Sequence, residues 1–446
     1  MSMTRMTSQE MGLNLRSLTR PLANYSVHIP DRLSAIAVFL AVLPFTCPVP
    51  PCQAQTDSQI PQLAQFRLNS TIVQSLPSPK MTPEALLEAL FTAETIPSEW
   101  FDATFLTHVS VAQVQSIVTG LKADLGTFQR VQSEGQDYLI VLERGMIPAK
   151  LVLNGEGKVI GLLFQAPRLT AKNLDEVIEQ FKQLPGEVSV LVLENGKPRA
   201  SLKAGQPMAV GSTFKLAVLK ALRSQIESGQ KSWRDVVALR PEWKSLPSGF
   251  LQTWPDGSLL TLESLAALMI SQSDNTATDH LVHSVGREAV EAIAPRNRPF
   301  LTTRELFILK SQPDLTKQYR GATEQEQRSL LNSIANNPLP TAKDFFASPI
   351  QLDVEWFFTT SELCELMSQV QDLPLMNINP GVAKPEDWQR VAFKGGSEPG
   401  VLNLTTWLQG KNNQQFCVSA SWNHTTALDE TKFNTLYNTL LSVLKP

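Results

Sequence analysis

Three short clusters of polar residues have the types and spacing for acyl transfer. In AVGSTFKLAVLKAL, Ala209 to Leu222, a serine is followed three positions on by a lysine, where a strand-like entry turns into an apolar helical run. Residues three apart on a helix share a face, so Lys215 can reach the Ser212 hydroxyl. A serine hydroxyl is a weak nucleophile until a neighbouring base takes its proton. A lysine in a dry pocket loses enough basicity to be that base. The alternative is a helix cap followed by a surface lysine. The second cluster is Ser273-Asp274-Asn275, at the end of the apolar run TLESLAALMIS. Ser273 would relay a proton to a leaving group and Asn275 would hold a substrate amide; the alternative is a helix C-terminal turn. The third is KGGSEPG, starting at Lys394. Lys394 would attract a carboxylate, and the Ser397 N–H would complete an oxyanion hole with that of Ser212. Glycines weaken a strand unless something must approach closely, so Gly395 and Gly396 suit a substrate lying along it.

Singly, each cluster is more often structural than catalytic. Ser-x-x-Lys recurs at Ser228-Gly-Gln-Lys231 in a polar stretch, and Lys203-Ala-Gly205 imitates the third cluster but precedes Ser212. The order Ser-x-x-Lys, Ser-Asp-Asn, Lys-x-Gly is the ordered motif set of class A β-lactamases and penicillin-binding proteins. Residues from about 170 to 446 resemble that family, most closely in VGSTFKLAVLKAL and SQSDNTATDHL. The resemblance implies an acyl-enzyme formed on a β-lactam or related amide or ester carbonyl. Ser212, Lys215 and Ser273 would be catalytic, Asn275, Lys394, Gly396 and Ser397 would bind the substrate, and no cofactor would be needed.

PFLTTRELFILK and residues 81 to 167 resemble one branch of the superfamily. It contains the serine hydrolase encoded in clavulanic acid gene clusters and exported mycobacterial relatives, in which a small cystatin-like (nuclear transport factor-like) domain precedes the lactamase-like one. The chain departs from the class A pattern twice. The Glu-x-x-Leu-Asn loop that activates the deacylating water is missing, and Glu305 in TTRELF is the nearest substitute. Its competing reading is an acidic residue at a helix start after Thr302 and Thr303. Gly395 stands where Thr or Ser is usual. Both departures favour an esterase-like or weakly lactam-active enzyme. A cell-wall-peptide-binding protein without turnover is the reading from a different class.

The elements that must hold these groups read as an α+β chain. A segment over 81–167 has helices in TPEALLEALF and SVAQVQSIVTGLKADLG, the second with Val111, Val114, Ile117, Val118 and Leu121 on one face. Strands follow in FQRVQSE, DYLIVLERG and IPAKLVLNGEGKVIGLLFQ, with a hairpin turn at Gly155. From 168 to 446 the pattern gives a helix, a hairpin turning at Asn195-Gly196, several helices, two late strands in RVAFKGGSEPGVLNLTTWL and QQFCVSASWN, and a closing helix. That describes an antiparallel sheet flanked by a helical cluster, its strands drawn from both ends of the segment. The polar stretch from Ser311 to Asp353 reads as an insertion beside the cleft.

Bulk properties narrow the partners. A hydrophobic share of 42% over 446 residues suffices for two or three domains with cores of their own. A net charge of −3 gives no electrostatic reason for a nucleic-acid partner; the resemblance implies a small-molecule substrate, and a monomer is expected. His280-x-x-His283 lacks the i, i+4 spacing and the glutamate of helical zinc sites, and no metal is expected. At the N-terminus, Arg16, Arg20 and Arg32 precede the apolar run Leu33 to Phe45, which is too short for a bilayer. Residues 1–54 read as a signal peptide ending near Ala54, for a secreted or periplasmic protein, with an uncleaved anchor as the alternative. Residues 55–80 read as a linker rich in Gln, Ser and Pro. Cys47 and Cys52 would leave with the signal, so Cys364 and Cys417 either pair with each other or stay as buried thiols.

Overall fold

The computed structural model describes residues 81–445 other than 136, 172, 342, 344 and 346–349. The expected signal over 1–54, the linker over 55–80 and the cysteines they carry lie outside the described residues.

The first helix, α1 (Pro83–Thr92), starts where the Thr82 hydroxyl accepts from Ala85 N and proline occupies the first turn. After α2 (Ala103–Leu106), a Ser110–Gln113 capping box opens α3 (Val111–Leu125), and Gly126 at φ 85° ends it. These helices cover an antiparallel sheet of β1 (Phe128–Glu134), β2 (Asp137–Leu142), β3 (Gly145–Leu153) and β4 (Val159–Phe164) in that order, with β5 (Arg168–Leu169) paired to β3. Leu86, Leu87, Phe91, Ile140 and Ile147 form the core between them. The apolar stripe of α3 is narrower than its sequence suggests. Val114 and Val118 are buried, joined by Leu125, whereas Ile117 is 41% exposed. In the β3–β4 turn, Asn154 Oδ1 accepts from Glu156 N and Lys158 N, and Gly157 rather than Gly155 takes the positive φ.

The second sheet runs β12-β13-β14-β6-β7. Its early strands, β6 (Glu187–Glu194) and β7 (Lys197–Leu202), turn at Asn195-Gly196 with φ of 49° and 76°, the pair of positive values a type I′ hairpin requires. Its late strands are β12 (Arg390–Glu398), β13 (Val401–Gln409) and β14 (Gln415–Asn423). RVAFKGGSEPGVLNLTTWL is therefore two strands, not one. It folds back at Pro399-Gly400, where a Cβ on Gly400 would lie 2.3 Å from the His424 carbonyl oxygen.

One face of this sheet packs Val190, Val192, Leu408 and Val418 against α4 (Leu174–Lys182) and the last helix, which carries Phe433 and Tyr437. On the other face Leu191, Trp407 and Cys417 join one apolar cluster with residues of α5 (Lys215–Glu227), α6 (Leu262–Ser271), α7 (Asn275–Val285), α8 (Arg287–Ile293) and α9 (Thr303–Lys310). α6 is capped by Thr261 and buried along Leu262, Leu265, Ala266 and Met269, as its sequence indicates. The polar stretch after α9 folds in part as α10 (Pro313–Gly321) and α11 (Glu324–Ile334). The next helix, α12 (Thr360–Ser368), is joined to β14 by a Cys364–Cys417 disulfide closing a separation of 53 residues. Short ladders complete the body: β8 (Met208–Ala209) pairs with β11 (Phe357–Phe358), and β9 (Val236–Ala238) with β10 (Leu259–Thr261). The closing helix, α13 (Glu430–Val443), also anchors the first part of the chain. Thr439 Oγ1 accepts from Leu169 N at 2.7 Å and Asn438 Nδ2 donates to Ala166 O at 2.8 Å.

Candidate active site

The chain from Gly211 to Phe214 is a tight 3-10 turn, and α5 begins at Lys215. With three residues per turn, positions i and i+3 eclipse, so Ser212 and Lys215 project from the same side. Ser212 is half-buried; Lys215 is fully buried. Its Nζ donates to Ser273 O at 2.6 Å, Asn275 Oδ1 at 2.7 Å and Ser273 Oγ at 3.2 Å. These three acceptors use the ammonium protons, and the Ser212 hydroxyl is not among them. Burial pushes the Lys215 pKa well below that of an ordinary lysine, and the positive charge of Lys394 adds to the push. Asp279 and Asp274 oppose it.

Ser273 is the meeting point. It precedes α7 at φ 54°, a left-handed conformation uncommon for a residue with a Cβ. Its carbonyl is gripped by Lys215 and by the Ser248 hydroxyl at 2.8 Å. Asp274 caps α7 through Ala277 N and holds Phe250 N and Leu251 N. A Cβ on Gly249, at φ 84°, would lie 2.2 Å from Asp274 Oδ2, so only glycine lets that loop approach. Lys394 Nζ also reaches Ser273 Oγ, at 3.1 Å, and donates to the Gly395 carbonyl. Lys394 is buried, and burial lowers its pKa to about 7. Two lysines of depressed basicity thus flank one hydroxyl.

Gly396 serves a different purpose from the one its sequence suggests. A Cβ there would lie 2.1 Å from Val210 O and 2.5 Å from Ser212 N. The glycine is needed because the turn carrying Ser212 packs onto β12, not because a substrate does. The same approach brings Ser397 N to 3.2 Å from where a Cβ on Gly211 would stand. The Ser212 and Ser397 amides therefore lie near each other, and the Ser212 N–H, in the first turn, has no intrahelical acceptor.

Two further candidate residues find partners inside the protein. Asn275 spends both ends of its amide inside the protein, Oδ1 on Lys215 and Nδ2 on Leu246 O at 3.0 Å, so it orients the lysine instead of presenting an amide to a ligand. Both oxygens of Glu305 are engaged, Oε2 by Thr302 N and Arg287 and Oε1 by Arg287. Glu305 forms a capping box with Thr302 and an ion pair with Arg287 at 2.6 Å. Asp279 is likewise engaged, by Thr303 N, Thr303 Oγ1 and Arg304 N. Its burial raises its pKa to about 7. The Ser397 hydroxyl donates to Glu430 at 2.8 Å, a contact no spacing rule would suggest across so long a separation.

His280 accepts from Arg240 N through Nε2 and meets Thr276 O through Nδ1, while His283 stacks on Trp243. Among the described residues no group of three or more potential ligands is poised around a metal, and no helix is long and apolar enough to cross a membrane. The Lys203 of the look-alike motif pairs with Glu187.

Residues 169–343 match the profile of the β-lactamase enzyme family. The match ends before β12, so the third cluster stands on geometry alone. No protein with a curated description matches the sequence. Similar solved structures include a β-lactamase from Sphaerobacter thermophilus DSM 20745, at 19% identity over 61% of this chain and 97% of that one, TM-score 0.43. A β-lactamase from Chitinophaga pinensis DSM 2588 aligns at 16% identity over 60% and 96%, TM-score 0.42. PBP-A aligns at 17% identity over 60% and 94%, TM-score 0.41. The mixed architecture of antiparallel sheet and helical cluster is β-lactamase-like.

Proposed function

We propose that the chain is an active-site serine hydrolase of the β-lactamase type that forms an acyl-enzyme on a strained or activated amide or ester carbonyl. The observation that carries this is the convergence of two buried lysines on the Ser273 hydroxyl beside the turn of Ser212. The Ser212 Oγ attacks the carbonyl carbon and its proton passes to neutral Lys215. The Ser212 and Ser397 N–H groups stabilise the oxyanion. The tetrahedral intermediate collapses as Ser273 gives its proton to the leaving nitrogen or oxygen, and a lysinium at its side returns one. Water then hydrolyses the ester.

The engagement of Glu305, Asp279 and Asp274 favours slow release of the acyl group, and with it a substrate whose ester hydrolyses without a strong base. An esterase-type substrate or a cell-wall peptide fits this better than rapid β-lactam turnover. Residues 81–167, with helices on an antiparallel sheet, support a cystatin-like accessory domain as in the clavulanic-acid-cluster branch. The disulfide supports export to an oxidising compartment.

Intact-mass spectrometry over time after mixing with penicillin G tests the reading. A lactam keeps its leaving amine attached, so the adduct should weigh one whole drug molecule, persist for minutes or longer, and vanish in Ser212→Ala. Wild-type protein that neither penicillin nor a fluorophosphonate labels would be a binding protein instead. Comparing hydrolysis of nitrocefin with that of a short-chain p-nitrophenyl ester separates lactamase from esterase.

A further inference from the structure

Between α9 and β12 lies a buried charge cluster that the chemistry above does not use. Lys310, the last residue of α9, donates to Glu355 Oε1 and, at 2.9 Å, to Glu398 Oε2. The three side chains are 6%, 0% and 11% exposed. Glu355 Oε2 is buried and has no hydrogen-bond partner. Both carboxyls meet the same ammonium, and two buried carboxylates against one cation would leave a charge uncompensated, so one of them holds a proton. The cluster then holds one ammonium, one carboxylate and one neutral acid, and carries no net charge. That is the arrangement a dry interior tolerates. Burial and the charge of Glu398 both favour the proton on Glu355.

Its two acids sit on the two supports of the nucleophile turn. Glu398 follows Ser397 on β12, against which Gly211 and Ser212 pack. Glu355 precedes Trp356, whose carbonyl accepts from Val210 N at 3.1 Å and whose ring stacks on Phe214 at 3.8 Å. Lys310 ties both to α9. We propose that Lys310, Glu355 and Glu398 are positioning residues, which share one proton and thereby hold the Ser397 N–H in register with Ser212 for acylation. The proposal rests on the acyl-transfer reading.

Loss of the shared proton would leave two buried carboxylates against one ammonium, and would push the supports apart. The charged groups facing Glu355 are Lys310 from α9 and Glu398 from β12; Asp353, on its own segment, is turned to Arg320 of α10. Acylation should therefore fall at alkaline pH.

The experiment is the acylation rate of the full chain against pH, with penicillin G or a fluorophosphonate as probe. In Glu355→Gln a neutral amide of the same shape replaces the neutral acid, so the neutral-pH rate should match wild type and the alkaline fall should disappear. Glu355→Ala should lose roughly 10²-fold in rate, as for a misplaced reacting group, without a change in the probe concentration at half-maximal rate. Equal losses in Gln and Ala variants, or an alkaline fall that persists in Glu355→Gln, would overturn the proposal. Melting temperature supplies a second readout. Folding takes up the shared proton, so wild-type stability should decline with rising pH relative to Glu355→Gln. Buried Lys215 and Lys394 act in the opposite sense, but equally in both proteins. A constant difference between the two curves overturns the shared proton. Wild-type protein that no probe acylates overturns the hydrolase reading as well, whereas a labelled wild type with unaltered variants overturns this inference alone.

Discussion

The Ser273 backbone is strained for the sake of its neighbours. Its left-handed φ of 54° is a conformation in which glycine is comfortable and a Cβ costs about 1–2 kcal/mol. Ser273→Gly should therefore melt at or above the wild-type temperature, the relief outweighing the extra freedom of an unfolded glycine, about 0.5–1 kcal/mol. Acylation should nevertheless drop roughly 10²–10⁴-fold, the range for removing a proton-transfer group. A variant that is both less stable and fully active would mean that the serine is held there for folding. Lys394 makes a second residue-scale test. Its charge helps depress Lys215, so Lys394→Met should raise the Lys215 pKa. The neutral base then appears later on the pH axis, and the acid limb of the acylation profile should move to higher pH. An unmoved limb in the variant would separate the two lysines.

At the scale of elements, α9 is a helix whose first turn is built from acids. Glu305 closes its capping box and pairs with Arg287, while Asp279 takes Thr303 N and Arg304 N. Glu305→Ala leaves the half-buried Arg287 unpaired and should cost about 3 kcal/mol of stability, toward the low end for breaking a buried pair. The acyl-enzyme lifetime should stay as in wild type; a marked lengthening would restore Glu305 as the water's base. This helix shows what the sequence discloses. Thr-Thr-Arg-Glu displays a capping box to anyone reading along the chain, and Asn195-Gly196 displays its hairpin, because both are local physics. The Gly396 contact is different. Its glycine is conspicuous, but its reason lies in a turn far away in sequence, so the residue was legible and its purpose was not. Asn275 and Glu430 were hidden for the same reason: their partners are set by tertiary packing. The fold-back at Pro399-Gly400 was written in two turn-forming residues, yet was masked by strand-like residues on both sides.

For the whole molecule, the disulfide between α12 and β14 joins the helical cluster to the sheet. A loop of 53 residues removes enough unfolded-state entropy to be worth about 4 kcal/mol. The double variant Cys364→Ala, Cys417→Ala should unfold at lower denaturant, while its acylation rate at moderate temperature stays that of wild type, since neither sulfur touches Ser273 or the lysines. A loss of labelling in the folded variant would show that the sheet needs the bridge to present Lys394. The sheet order carries a last consequence. β12, which supplies Lys394 and Ser397, reaches β6 only through β13 and β14, near the end of the chain. Pairings so distant in sequence form late. A polypeptide emerging from a ribosome or translocon thus presents Ser212 long before the strand opposite it exists.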